Sequence, residues 1–518
     1  MTCFTRLARS KLEMTVQRIP ESINPLHIPE IRTEIGRYLK KPALARSALV
    51  CREWNRTFIP LLYSVVEINR CEVISPSIKT LRRNKVFIKS MAVMTDELDP
   101  LYSHLFMPNL KTLKLCLKSP SDSIEPMIQN HKNIRFLELP RISSDDKNMF
   151  WKSVASLPHL EELTIRNQNG HETDTMWDIC SRLKKLNITN SFHQGLRAST
   201  GTGTSSMRAA DFHLLRDLTI SKCGSYMTVQ PTLIMKCQNL DRLEWRIGLD
   251  DIESTDQTTL VQDFTQNLAS GKWLNIKSLT TGFDLVSDAT YAELTRALSN
   301  RALEELDVSL TQFGELAFNA LKYHFSTLRV LNIRSCPNLT SANVLEILTS
   351  CPRLQSLAVD RIYARYLDPN QEWPCRKTLQ SLSIEFELGQ EPNQDESSAA
   401  TAMETTSEEL NEIAFTCLGQ LCELKHLSVS YRKPDKYYGP AYIRASIPLE
   451  IQLSKGLRKL VGLKRLNHFS IGVLTGSLGP GEVAWMLKNW PNLDIIEGFS
   501  KKRIPMKRVV KQKGITVI

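Results

Sequence analysis

"LEELDV", Leu303 to Val308, carries the pattern that decides the fold: leucine, two variable residues, leucine, one variable residue and a third aliphatic side chain. In a strand, successive side chains point to opposite faces, so Leu306 and Val308 share one face while Glu305 and Asp307 share the other. Toward the N-terminus the unit recurs as "LDRLEW" at Leu240, "LRDLTI" at Leu215, "LKKLNI" at Leu183, "LEELTI" at Leu160, "IRFLEL" at Ile134 and "LKTLKL" at Leu110. Toward the C-terminus it returns as "LRVLNI" at Leu328, "LQSLAV" at Leu354, "LQSLSI" at Leu379 and "LKHLSV" at Leu424, with weaker copies at Ile276, Leu466 and Leu493. Residue frequencies alone yield roughly three such matches in a chain of this kind, so the repetition belongs to the architecture.

Most steps between copies are about 23 to 27 residues, the period of leucine-rich repeats. Helix-compatible stretches fill the intervals: in "SANVLEILTSCPRL", Val344, Leu345, Ile347 and Leu348 make an apolar stripe, and Pro337 and Pro352 punctuate its two ends. One strand and one helix per unit predict an α/β fold, a curved solenoid with a parallel sheet on the concave side and helices on the convex side. Longer steps mark polar insertions near 190–212, 386–412 and 431–455. The last, beginning "YRKPDKYYGPAYIRASIP", is rich enough in tyrosine to order against the solenoid or a ligand. "GTGTSS" in the first lacks the following Gly-Lys-Ser/Thr of a phosphate loop.

Composition is that of a globular chain, 518 residues with 42% hydrophobic and 23% charged. The N-terminal stretch has no continuous apolar segment or small-residue cleavage site, and Glu13 among Arg6, Arg9, Lys11 and Arg18 argues against a mitochondrial presequence. Residues 1–22 therefore read as a tail, and the protein as intracellular, cytoplasmic and/or nuclear, without a membrane span. The cysteines are scattered with no C-x-x-C pair, so they read as small buried hydrophobes, and no metal or cofactor is signalled. Net charge is +11, partly gathered in "KKRIPMKRVVKQKG" from Lys501, where interleaved Ile504, Met506, Val509 and Val510 make nucleic acid an unlikely partner.

Ahead of the repeats, residues 23–64 have another texture. Ile31, Ile35, Tyr38 and Leu39 lie on one helical face, which breaks at Lys40-Lys41, and Pro42 is suited to open a second helix. Leu44, Ala48 and Cys51 share a further stripe, while Leu49, Val50, Trp54 and Phe58 lead toward a strand ending at Ile68. Cys51 is expected to pack. So small a helical unit buries too little surface to stand alone, and must lean on the repeats, on a partner, or on both.

The spacing of Glu30-Ile31, Ile35, Tyr38-Leu39, Leu44, Val50-Cys51-Arg52 and Trp54 resembles an F-box, with His27-Ile28 standing where that family usually has Leu-Pro. An F-box followed at once by leucine-rich repeats, residues 65–518, resembles the F-box leucine-rich-repeat proteins of fungal type. That resemblance implies a substrate-recognition subunit of an SCF-type cullin-RING ubiquitin ligase. In it the head docks on the Skp adaptor through Ile31, Ile35, Leu39, Leu44, Val50 and Trp54, some touching the adaptor and others supporting those that do. The repeats would hold a protein substrate. No enzyme is implied, and the chain has no G-x-S-x-G, H-E-x-x-H or Walker lysine motif.

Substrate-facing residues should come from the outward strand positions. Arg166, Lys185, Arg242 and Arg246 fall in neighbouring copies, with Arg334 further on, and suit an acidic or phosphorylated segment. Against this stands the expectation that Glu162, Glu244 and their like neutralise the row internally. An alternative function with the same fold is a leucine-rich-repeat scaffold or inhibitor that never joins a ligase, its helices merely capping the solenoid.

Overall fold

A computed structural model describes residues 25–69, 76–95, 98–117, 124–139, 147–166, 174–189, 212–221, 229–247, 254–389, 406–429, 448–471, 478–497 and 516–517. The N-terminal tail, the glycine-rich insertion, most of the tyrosine-rich segment and the C-terminal basic run lie outside them. The chain divides into two compact units, Met1–Leu137 with Ser156–His159, and Glu138–Ala155 with Leu160–Ile518.

The first unit opens with three helices, α1 (Pro29–Tyr38), α2 (Lys41–Ser47) and α3 (Arg52–Ser64). Proline sets two of their starts, Pro29 and Pro42 each standing in the first turn, where a missing backbone N–H costs nothing. α3 runs without a loop into strand β1 (Val65–Asn69), which pairs in parallel with β2 (Ser90–Met94), and β2 with β3 (Thr112–Leu115). The Lys89 backbone N–H donates to the Ser64 carbonyl at 2.9 Å, tying the end of α3 to the entry of β2. β4 (Phe136–Leu139) is divided between the units.

In the second unit the repeated motif supplies β5 (Glu162–Arg166), β6 (Lys185–Thr189), β7 (Asp217–Ser221), β8 (Arg242–Arg246), β9 (Ser278–Gly282) and β10 (Glu305–Asp307). It continues through β11 (Val330–Asn332), β12 (Ser356–Tyr363), β13 (Ser381–Glu387), β14 (His426–Ser428), β15 (His468–Ser470) and β16 (Ile495–Glu497). Each pairs in parallel with the next. Register follows the motif: Leu306 lies beside Leu331, Leu331 beside Leu357, and Leu357 beside Leu382, and all four are buried. A slip of one residue would turn the whole leucine column outward, so the apolar pattern alone fixes the pairing. This is the expected leucine-rich-repeat type of α/β solenoid, one strand per repeat with helices such as Asp288–Ala297, Ser341–Ser350 and Ser407–Gly419 between strands.

Turns are closed by the residue that precedes the first leucine of a copy. Asn133 donates to the Pro108 carbonyl at 2.9 Å, Asn239 to that of His213 at 2.9 Å, and Asn492 to that of Lys464 at 2.9 Å. Thr327 does the same for Leu303 at 2.7 Å. Each link satisfies a carbonyl left over from the preceding repeat, so stacking and backbone accounting are solved by one side chain.

Two buried polar residues seal repeat joints. The Arg301 guanidinium donates to the carbonyls of Trp273 (3.1 Å), Leu268 (2.7 Å), Lys272 (2.7 Å) and Ala297, sewing together the ends of helices Ser254–Ala269 and Asp288–Ala297. Arg301→Ala leaves those acceptors without their donor and should cost about 3 kcal/mol. Faster amide exchange at 268–273 and 297–301 would register the loss, and unchanged exchange would refute the role.

His131 performs the like service in the first unit: its Nε2 accepts the Met107 backbone N–H at 2.9 Å, and its Nδ1–H donates to the Met127 carbonyl at 2.6 Å. Burial pushes its pKa below the ordinary histidine value. The neutral ring is therefore the folded form, and as pH falls below about 6.5 the unfolded chain takes up its proton first. Stability contributed above that pH is lost as pH falls toward the depressed folded value. Melting of the protein should shift down between about pH 7 and about pH 5, and His131→Asn should flatten that dependence.

Candidate functional site

α1 is amphipathic, yet it turns its apolar stripe outward. The side seated on α3 is Arg32 and Gly36, both buried. A Cβ on Gly36 would stand 2.5 Å from Leu61 Cδ1 and 2.9 Å from Phe58 Cε1, so any larger residue must displace those side chains or the helix. Arg32 Nη1 reaches Glu53 at 2.8 Å and holds that carboxyl below the usual carboxylate range. With α1 pinned by this side, Ile31 and Ile35 remain 37% and 38% exposed and Tyr38 82%. In the turn after α2, Leu49 and Val50 are exposed as well, at 83% and 66%.

The unit's own core is closed without them. Leu44, Ala48 and Phe58 are buried together, and Leu39, Trp54, Ile59, Leu61 and Leu62 pack around them. Trp54 meets Phe58 edge to face at 5.3 Å. The six head residues expected from the sequence thus divide. Ile31, Ile35 and Val50 face solvent, Leu44 is interior, and Leu39 and Trp54 are half-buried props of the core. Two expectations need correction. Cys51 does not pack: it is exposed, in extended backbone ahead of α3, because the chain must leave the helical conformation there. Leu49, grouped by spacing with Phe58, points to solvent while Phe58 forms the core. The missed signal was Gly36 beside Arg32, a small residue and a long one one turn apart on the face that spacing left for water.

Charged positions on the outward strand face of the second unit are supplied with internal counterions. Arg166 meets Glu138 at 2.8 Å, Lys185 meets Asp217 at 2.9 Å, and Arg242 meets Glu305 at 3.3 Å. Arg242 and Arg246 of β8 reach acids of β10 across the small Ser278, Thr280 and Gly282 of β9, with Arg246 on Asp307 at 2.6 Å. Asp307 also accepts from Asn332 at 3.0 Å and from the Ser309 hydroxyl at 2.7 Å. Arg334 is half-buried, and its charge lies near Asp360, whose carboxyl partial desolvation pushes upward in pKa. Asp360 itself accepts the Ser335 backbone N–H at 2.5 Å. This pattern matches the internally neutralised row.

Among the described residues no three histidine, cysteine or acidic side chains converge as a metal site, and no helix is long and apolar enough to cross a membrane.

No family model matches the chain, nor does any curated protein. Among solved structures it is similar to a chain in the crystal structure of the Rad7 and Elc1 complex of yeast, at 15% identity and a TM-score of 0.36, covering 96% of this chain and 98% of that one. So distant a likeness does not bear on function.

The seat of α1 is the testable element of this site. Gly36→Val should destabilise the head by about 1–3 kcal/mol through overpacking against Phe58 and Leu61. Raised amide exchange confined to 29–38 and 52–64 would confirm it, and an unaltered melt would count against the close seat.

Proposed function

We propose that the chain is a substrate-recognition subunit of a cullin-RING ubiquitin ligase, its helical head docking on a Skp-type adaptor through Ile31, Ile35 and Val50. Tyr38 and Leu49 extend the same surface, while Leu44, Leu39 and Trp54 keep it rigid from beneath. The observation that carries this reading is the outward apolar face of a head whose own core is already closed. Exposed apolar side chains gathered in one short segment mark a place where another protein completes the burial. Full burial of such a side chain is worth about 1.5–3 kcal/mol, and covering the surface that Ile31 and Ile35 still expose contributes part of that.

The chain would then do no bond chemistry. Held near a ubiquitin carrier, a lysine of the bound substrate meets its reaction partner in an effectively intramolecular encounter, and binding energy becomes rate. The repeats serve as the substrate-bearing part. In this reading the protein acts in the cytoplasm or nucleus, where such ligases work. Ion pairing along the second unit's strand face argues that Arg166, Lys185, Arg242 and Arg246 form a pre-stiffened surface, which a substrate engages only by exchanging existing pairs.

Co-purification of the full chain with the adaptor tests the proposal. Ile35→Asp combined with Val50→Asp should abolish capture while leaving the melting temperature nearly unchanged, because both side chains lie at the surface. A wild-type chain that is folded and does not bind the adaptor would favour the scaffold or inhibitor alternative.

A further inference from the structure

The residue that enters each strand sits on a lateral row, one rung per repeat. From Glu161 to Arg329 in the second unit that row is neutralised: Lys184 pairs with Glu161 at 3.3 Å, Arg216 with Asp241 at 3.7 Å, and Lys277 and Arg329 both with Glu304, at 3.6 and 3.2 Å. The first unit is built differently. Its corresponding rungs are Lys89 and Lys111, followed by Arg135, stacked so that the Lys111 backbone N–H donates to the Lys89 carbonyl and that of Arg135 to the Lys111 carbonyl, each at 2.8 Å. Lys85 lies in the turn just before Lys89, and Arg82 and Arg83 end the helix that leads into it. All of these side chains are exposed.

Parallel strands lie about 4.8 Å apart, so like charges on consecutive rungs repel. Two features could relieve that repulsion, and neither is sufficient. Arg82 and Arg83 gain from the negative end of their helix, but Lys85, Lys89 and Lys111 do not. Neighbouring acids do not help: from 76 to 117 the described residues include a single carboxylate, Asp99, which accepts the Leu101 backbone N–H at 2.8 Å. Among the described residues no ion pair joins Arg82, Arg83, Lys85, Lys89 or Lys111 to a carboxylate. The same fold position is therefore self-neutralised from Glu161 to Arg329, whereas at Lys89 and Lys111 no described carboxylate pairs with it.

We infer that the strand-entry edge of the first unit is a docking surface for an acidic protein segment, a run of Asp and Glu side chains laid across the Lys89 and Lys111 rungs and the neighbouring Lys85. A polypeptide suits it better than a nucleic acid. Lysine offers point charges to carboxylates, whereas single strands are held by several stacking rings, and the one largely exposed ring here, Phe106, is already stacked on His131 at 6.0 Å. The surface is independent of the adaptor reading, since Ile31, Ile35 and Val50 take no part in it. It also relocates acidic-segment binding away from the Arg166 to Arg246 row, whose counterions are internal.

Fluorescence anisotropy of the full chain with a labelled decaglutamate peptide tests this, beside a single-stranded oligonucleotide of equal charge. The peptide should bind, and weaken as salt rises. Lys89→Glu with Lys111→Glu should weaken binding at least about tenfold, and Lys89→Gln with Lys111→Gln by less. Lys277→Glu in the second unit should leave it unchanged, and so should Ile35→Asp. Failure of the peptide to bind at low salt, equal loss with Lys277→Glu, or tighter binding of the oligonucleotide would overturn the inference.

Discussion

The contact of Gly36 with Phe58 and Leu61 governs what the head of this protein can do. Because a hydrogen atom stands where any other residue would place a side chain, α1 lies close on α3 by its Arg32 and Gly36 side. Two arrangements go with this seat. Ile31, Ile35 and Tyr38, which lie to one side of that seat, keep exposed surface, and the Arg32 guanidinium finds its partner in Glu53. A bulkier residue at 36 would push α1 off α3 and dissolve both arrangements. The head's apolar display is thus a by-product of one tight seat, held in place by a small core of Leu44, Ala48 and Phe58.

The repeats rest on a different constraint. Each strand has inward side chains and a preceding aliphatic residue, and parallel pairing in a common register at the motif puts them into continuous buried columns. Outward side chains are then free to differ between the units without cost to the fold. In the second unit they have become a lattice of ion pairs, individually weak but mutually positioned, with Asp307 gathering Arg246, Asn332 and Ser309. In the first unit the strand entries Lys89 and Lys111 are joined by no ion pair to a carboxylate among the described residues.

How much of this was legible in the sequence depends on the range of the interaction. The strands were readable at Leu110, Leu160, Leu303 and the other copies, because burial of a strand face leaves a period of two that no helix imitates. Of the stripe Val344, Leu345, Ile347 and Leu348, three side chains form the buried face of their helix as the spacing predicts, and Leu345 stays half-buried. The head was half readable. Spacing put Ile31, Ile35, Tyr38 and Leu39 on one face, yet Leu39 packs on the core while the other three keep exposed surface, a division that depends on a contact between residues over twenty positions apart, Gly36 and Leu61, which periodicity does not encode. Leu44 and Val50 looked alike as aliphatic residues near a helix end, and only packing separates the core residue from the exposed one. The pairing of Arg242 with Glu305 across β9 was illegible for the same reason: it requires knowing that Ser278 lies between them in the sheet.

Hydrogen–deuterium exchange of the full chain, alone and with an excess of the Skp-type adaptor, tests the central claim most directly, since it reads coverage of the head without altering a residue. The account predicts added protection over 29–38 and 48–52, with exchange in the Leu306 to Leu382 columns unaffected. Identical exchange in both samples across those head residues would contradict it.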